Sequence, residues 1–411
     1  MRIPVLDVFT ERPPLHWVGL TLVATFAFCR KAPAQRDFVI PFTYVNDFVV
    51  VDARLNGLFA TKLLFDTGSE HTLLTEPLLF AGLDASAWET IRLIGSDLST
   101  VVPAVLSRRN ELDLGAITLS NQPIVAVDAE SLDLTELAGE DIGGILGIGS
   151  FGAYVIVIDY RRSVLRLVPP ARYRPPRDAI PIPMEIIGGK AYLRLDTRVH
   201  AAYADSLLYL VDSGAALESL IFADRADSTI YPPSIIAGVI GYGLGGALRG
   251  FVGRTDTLSL PGRPLPDVIT HFQVADSTSA RFAASRNGIL GNRFLSRFTV
   301  ALDLPGRVAY LVPRHRRPRS RPYDRSGLTL VTEPEVAGAL RVQFVAPDTP
   351  AEEAGLRSGD RVRKVNGVPV RLRSPERVRR LLRRPAGKIV RLAIERGGER
   401  FTVAFALRDL I

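Results

Sequence analysis

Only one cysteine, Cys29, occurs in 411 residues, so no intrachain disulfide can form. Lysine is scarce as well. Lys31, Lys62, Lys190, Lys364 and Lys388 are the only ones, and the formal charge of +8 is therefore carried by arginine. No H-E-x-x-H stretch or other cluster of ligand residues appears, so neither a metal nor a cofactor is expected. Long helical periodicity is missing too, since no periodic segment exceeds about three turns. In its place, 29 Pro and 34 Gly are spread along the chain and fit many short strands joined by turns. With 47% hydrophobic residues the chain can bury large cores, and it should divide into two or three mostly β domains.

A basic balance raises the question of nucleic acid. The densest block, RHRRPRSRP from Arg314 to Pro322, carries no aromatic residue for base stacking. It reads as a linker, and no nucleic-acid partner is expected. At the other end, Leu15 to Cys29 is apolar and short for a membrane span, but suits the hydrophobic region of an export signal. Ala32-Pro33-Ala34 offers a cleavage site before Gln35. The flanking charges also allow an uncleaved membrane tether, and Cys29 could be a lipidation site, although Phe28 is bulky there. The expected location is extracytoplasmic, as in a periplasm.

Within KLLFDTGSEHTLL, Asp66 ends an apolar run that reads as a core strand. Burying a lone carboxylate there is expensive, so a partner or a chemical role is needed. The chain supplies a partner by repeating itself. ILGIGSFGAYVIVIDYRRSVLRLVP (Ile145 to Pro169) aligns without a gap to ILGNRFLSRFTVALDLPGRVAYLVP (Ile289 to Pro313). Upstream of the second copy lies YLVDSGAALESLIF, with Asp212 146 residues after Asp66. Each half also opens alike, FVIPFTYV against AIPIPMEI. A repeat of this length is a duplicated lobe, and two such lobes pack about a pseudo-two-fold axis that would bring Asp66 and Asp212 together.

Two facing carboxylates cannot both ionise and hold one proton between them. One then deprotonates a water while the other protonates the carbonyl oxygen under attack. Gly68 and Gly214 let backbone N–H groups approach the acids, and Thr67 and Ser213 could bond across the axis. Ser69 could donate to Asp66, whereas Ala215 offers nothing to Asp212, so unequal acids are expected.

DTGS and DSGA, each followed by an Ile-Leu-Gly segment, resemble the aspartic proteases, most closely the retropepsin-like group with both lobes in one chain. The resemblance covers Phe38 to Pro313. It implies a bilobal acid-protease β-barrel fold, an aspartic endopeptidase activity with Asp66 and Asp212 as catalytic residues, and a peptide or protein substrate. The family's substrate-covering flap is matched to Gly241-Tyr242-Gly243 in the second lobe and to Ile94-Gly95-Ser96-Asp97 in the first. GYGLGG also fits a dinucleotide fingerprint, but Gly250 and Gly253 break the helix that would have to follow. Glu70-His71 reads as structural, as do Asp159 and Asp303, expected to cap turns.

Ser326 to Val370 resembles a bacterial PDZ domain, through TPAEEAGLRSGD and VNGVPV. Such domains add a peptide to an open strand edge, often one with a free C-terminus. Gly327-Leu328-Thr329-Leu330 is the candidate binding loop. Arg377, Arg379, Arg380 and Arg383, on a helix expected from Ser374 through Arg384, read as a solvated face that could favour acidic peptides. The expected organisation is a signal or anchor (1–35), two protease lobes (36–170 and 171–313), a linker (314–324) and an α+β PDZ domain (325–411). The alternative to a protease is a catalytically silent protein that binds peptides through its PDZ domain.

Overall fold

The computed structural model describes residues 36–83, 88–96, 100–128, 132, 134–224, 228–275, 287–315, 321–332, 339–372 and 375–411. The apolar segment Leu15 to Cys29, Asp97, Ser374 and the middle of the Arg-rich block lie outside the described residues. No helix among those described is long and apolar enough to cross a membrane.

The chain is mostly β. Its first eight-stranded sheet runs in the order Thr43–Val45, Phe48–Leu55, Phe59–Asp66, Gly144–Gly147, Thr72–Leu74, Thr118–Val127, Val101–Asp113, Trp88–Ile94. The second half repeats this order strand for strand: Ile180–Ile187, Lys190–His200, Tyr203–Asp212, Gly288–Gly291, Ser219–Asp224, Arg263–Ala275, Gly246–Leu260, Ile235–Gly243. Phe48–Leu55 also pairs with Val101–Asp113, and Lys190–His200 with Gly246–Leu260, which curls each sheet towards a barrel.

The two halves share a further antiparallel layer. Phe38–Pro41, Val164–Val168, Val155–Asp159, Phe298–Asp303, Val308–Pro313 and Ile180–Ile187 lie side by side in that order. At its centre Val157 pairs with Ala301, its own counterpart in the repeat, flanked by Ile156↔Leu302 and Ile158↔Val300. The similar openings of the halves form the outer strands, with Ile40 against Leu165 and Ile182 against Ala309. Asp159 accepts the N–H groups of Arg161 and Arg162, and Asp303 that of Gly306, so both acids cap turns.

One hydrophobic cluster runs through both halves, from Ile40 to Leu311. The C-terminal unit keeps its own cluster, from Leu328 to Leu407. Its strands run in the order Leu328–Thr332, Leu340–Val345, Arg361–Val365, Ile389–Arg396, Glu399–Ala406, which leaves Leu328–Thr332 at an edge. Pro350–Glu353 is a single helical turn ended by Gly355 at φ 77°. Asn366 and Gly367, both at positive φ, turn the chain between strands. The flanking helix spans Pro375–Leu382, two residues short of the expected end. Its last turn tightens, with Arg383 and Arg384 donating to the carbonyls three residues back.

Candidate active site

Each candidate acid ends a strand clamped between others. Phe59–Asp66 lies parallel to Gly144–Gly147 with Asp66 opposite Gly147, and Tyr203–Asp212 lies parallel to Gly288–Gly291 with Asp212 opposite Gly291. Leu63, Phe65, Tyr209 and Val211 beneath them are fully buried. Ile-Leu-Gly recurs because its glycine passes the acid loop at backbone contact: a Cβ on Gly291 would sit 2.6 Å from the Ala215 carbonyl oxygen.

The loops then interlock. Thr67 N–H donates to Ser213 Oγ at 3.0 Å, and Ser213 N–H to Thr67 Oγ1 at 3.0 Å. Thr67 Oγ1 donates in turn to the Val211 carbonyl at 2.7 Å, and Ser213 Oγ to that of Phe65 at 2.8 Å. Thr67 and Ser213 are fully buried, and these four bonds satisfy every polar group involved. The acids are held alike. Gly68 N–H donates to Asp66 Oδ1 at 2.7 Å, and Gly214 N–H to Asp212 Oδ1 at 2.9 Å.

Both acids are half-buried and line one cavity of about 1190 Å³. Each also faces the glycine of the opposite loop. A Cβ on Gly68 would fall 2.6 Å from Asp212 Cγ, and one on Gly214 would fall 2.6 Å from Asp66 Oδ2. Any other residue at either glycine would displace the opposing carboxylate.

Ser69 does not serve as expected. Its hydroxyl donates to the His71 carbonyl at 2.8 Å, a local turn bond that uses its single proton. The difference between Ser69 and Ala215 is therefore not felt at the acids through this hydroxyl.

The candidate flap residues Ile94, Gly95, Gly241, Tyr242 and Gly243 all line the cavity. They belong to two hairpins, one from each half, whose tips meet: Ser96 N–H donates to the Leu244 carbonyl at 2.7 Å. Gln273 Nε2 donates to the Ser96 carbonyl at 3.2 Å. The sequence carries no signal for this meeting, since it depends on how far apart the halves sit.

In the C-terminal unit the candidate loop is partly occupied. Asp324 Oδ1 takes the N–H groups of Ser326 and Gly327 at 2.8 and 2.9 Å, and Ser326 Oγ takes that of Leu328 at 3.1 Å. Gly327 and Leu328 therefore turn their N–H groups towards local acceptors, and the side chains of Leu328 and Leu330 belong to the core. Thr329 lies on the edge strand with them. Burial holds the Asp324 carboxyl above the usual carboxylate range despite the donors from Ser326 and Gly327.

Sequence reasoning missed the turn Asn46-Asp47, which also lines the cavity. Asp47 pairs with Arg293 at 2.8 Å, its carbonyl accepts from Asn292 Nδ2 at 2.7 Å, and Asn292 in turn accepts from the buried Tyr160 hydroxyl. Burial pushes the Asp47 carboxyl up, but Arg293 and Arg321 outweigh it and hold it below its ordinary value. The adjacent Asn46 accepts from Arg379 of the C-terminal helix at 2.9 Å. One turn of the first half thus touches both other parts of the chain.

No curated protein matches the chain. A family model described as PDZ domain matches residues 341–396, which hold the single-turn helix and the Asn366-Gly367 turn. Another, described as Aspartyl protease, matches residues 51–149, which hold Asp66 and its Ile-Leu-Gly strand. The second half lies outside both matches and is tied to the first by its strand order and loop bonds. The chain therefore joins an aspartyl protease domain to a C-terminal PDZ domain.

Proposed function

We propose that the chain is an aspartic endopeptidase in which Asp66 and Asp212 activate a water between two lobes related by a pseudo-two-fold axis. The reciprocal seating of each acid against the opposite loop's glycine carries this reading. Each carboxylate faced by the other loop's glycine supports a two-acid mechanism with one acid ionised and one protonated. The ionised acid takes a proton from the water as its oxygen attacks the scissile carbonyl. The protonated acid donates to the carbonyl oxygen, giving a neutral tetrahedral adduct. The acid that took the water proton then gives it to the leaving nitrogen while the other takes a proton from a diol hydroxyl, so the C–N bond breaks and the starting state returns. The pH dependence belongs to the pair and not to either acid alone.

The two hairpin tips would cover a bound peptide and must separate to admit it. The PDZ domain would recruit or position that peptide. The expected location is extracytoplasmic, with residues 15–29 as export signal or tether.

Cleavage of a peptide mixture in ¹⁸O-water, read by mass spectrometry, tests the chemistry. Direct attack by water places one ¹⁸O in each new C-terminus, and added amines are not acylated. Transfer of the acyl group to an added amine would show a covalent intermediate and overturn the proposed route. Binding without cleavage by any active-site variant or wild type would favour the silent peptide-binding alternative.

A further inference from the structure

The cavity holding the two acids does not end at the protease lobes. Its far wall is the PDZ helix Pro375–Leu382 with the residue just after it, and the end of the edge strand at Thr332. Four arginines line that end, namely Arg293, Arg321, Arg379 and Arg383, against the acids Asp47 and Glu376.

Three of the four have carboxylate partners. Arg293 pairs with Asp47 at 2.8 Å, Arg383 with Glu376 at 3.6 Å, and Arg321 with the buried Glu218 at 3.3 Å. Arg379 differs. Its Nη1 donates to Asn46 Oδ1 at 2.9 Å and its Nη2 to the Leu330 carbonyl at 3.3 Å, and both acceptors are neutral. Among the described residues it makes no ion pair within 4 Å, although it is half-buried near Glu376 and Asp47 as well as the cations Arg383 and Arg293. A guanidinium carries five N–H groups and is matched best by a carboxylate accepting two of them.

The position of Arg379 also bears on the PDZ edge strand. Because Leu330 presents its carbonyl to the helix side, Thr332, two residues on, presents its backbone the same way. A peptide strand added along this edge would take the Leu330 carbonyl from Arg379, freeing Nη2 for a carboxylate, and would continue in the cavity that contains Asp66 and Asp212.

The turn that meets Arg379 is specialised for the contact. Asn46 and Asp47 sit at φ 47° and 67°, and their counterparts in the second lobe are Gly188 and Gly189 at φ 55° and 72°. Glycine is the easy choice for this backbone. The first lobe instead carries two side chains there, one reaching the PDZ helix and one reaching the second lobe.

We propose that the enzyme reads a carboxylate of its peptide substrate at Arg379, so that the PDZ helix forms a specificity wall of the catalytic cleft. This rests on the peptidase reading above. The carboxylate can belong to an Asp or Glu side chain or to the free C-terminus of the peptide.

The test compares synthetic peptides that place Glu or Gln at successive positions, each with a free or amidated C-terminus. For the full-length wild type, kcat/KM is expected to favour the carboxylate-bearing member by about tenfold at one position or at the terminus. The Glu/Gln contrast marks a side chain, and the acid/amide contrast marks the terminus. In Arg379→Gln the ratio should fall towards one, Arg379→Lys should restore part of it, and Arg380→Gln, on the exposed side of the helix, should leave it unchanged. If Arg379→Gln does not fold, rising salt applied to the wild type should erode the same ratio. Equal cleavage of acidic and neutral partners by the wild type, or a preference that survives Arg379→Gln, overturns the proposal.

Binding of the same labelled peptides to Asp66→Asn, with and without Arg379→Gln, separates the two readings. Arg379-dependent binding without cleavage by the wild type upholds the carboxylate contact at Arg379 and removes the peptidase with its specificity wall. Cleavage with no Arg379-dependent preference does the reverse, and neither binding nor cleavage removes both.

Discussion

The two lobes agree closely at the acids and diverge around them. Asp66 and Asp212 share strand register, capping N–H and facing glycine. Yet His71 in the first lobe corresponds to buried Glu218 in the second, which holds Arg321 of the segment leading to the PDZ domain. Val125, opposite Leu73, corresponds to His271, opposite Leu220. The Asn46-Asp47 turn corresponds to Gly188-Gly189. The backbone interlock of the two loops is the same in both lobes, while the periphery carries side chains that dock other parts of the chain.

If the centre is equal, breaking it from either side should cost the same. Thr67→Val and Ser213→Ala each strand two buried backbone groups, and each should cost about 3–5 kcal/mol in chemical denaturation. A difference of more than about 2 kcal/mol between them would show the loops to be inequivalent. Next in size, Gly68→Ala and Gly214→Ala push on the opposite acid, and each should lower kcat by about a hundredfold with little change in fold. Normal turnover by either variant would mean that the carboxylates have room to retreat.

The periphery should respond unequally. Burial lowers the His271 pKa to about 4, with Arg293 adding to the effect and the bond to the Ser219 carbonyl opposing it. The folded pKa lies below the ordinary value of about 6.5, so the unfolded chain binds more protons between the two. Stability is therefore full above about pH 6.5 and falls by about 3 kcal/mol as pH drops to about 4. His271→Val, copying Val125 of the first lobe, should flatten that part of the stability profile.

The smallest effect belongs to the turn. Replacing Asn46-Asp47 by Gly-Gly relieves the positive-φ cost but removes the bonds to Arg379 and Arg293, for a net loss of about 1 kcal/mol. The Asp47 share of this is pH-dependent with a defined sign. Its folded pKa is depressed, so its contribution is present above about pH 4 and lost as pH falls through the lower folded value.

Much of the protease core was legible because repetition exposed it. Matching Ile-Leu-Gly segments and aligned openings exposed the duplicated lobe, and the fold makes the former the strand parallel to each acid and the latter the outer strands of the shared layer. The PDZ turns were legible from Pro350, Gly355 and Asn366-Gly367, whose preferences are local. What stayed hidden depends on relations between units. Ser69 looked available to Asp66 until a carbonyl two residues on claimed its proton. Gly327 and Leu328 looked open until Asp324 and Ser326 took their N–H groups. Arg379 looked like one of several solvated helix arginines, and only the approach of Asn46 sets it apart. No periodicity within a helix reports which residue another domain will touch.

The central claim is that Asp66 and Asp212 form one proton-sharing pair. It is tested most directly by peptide cleavage from about pH 3 to 8 by wild type, Asp66→Asn and Asp212→Asn. The account predicts a bell-shaped wild-type profile and a loss of at least about a thousandfold in kcat for each variant at every pH. Cleavage that survives either substitution with an unchanged profile would contradict it.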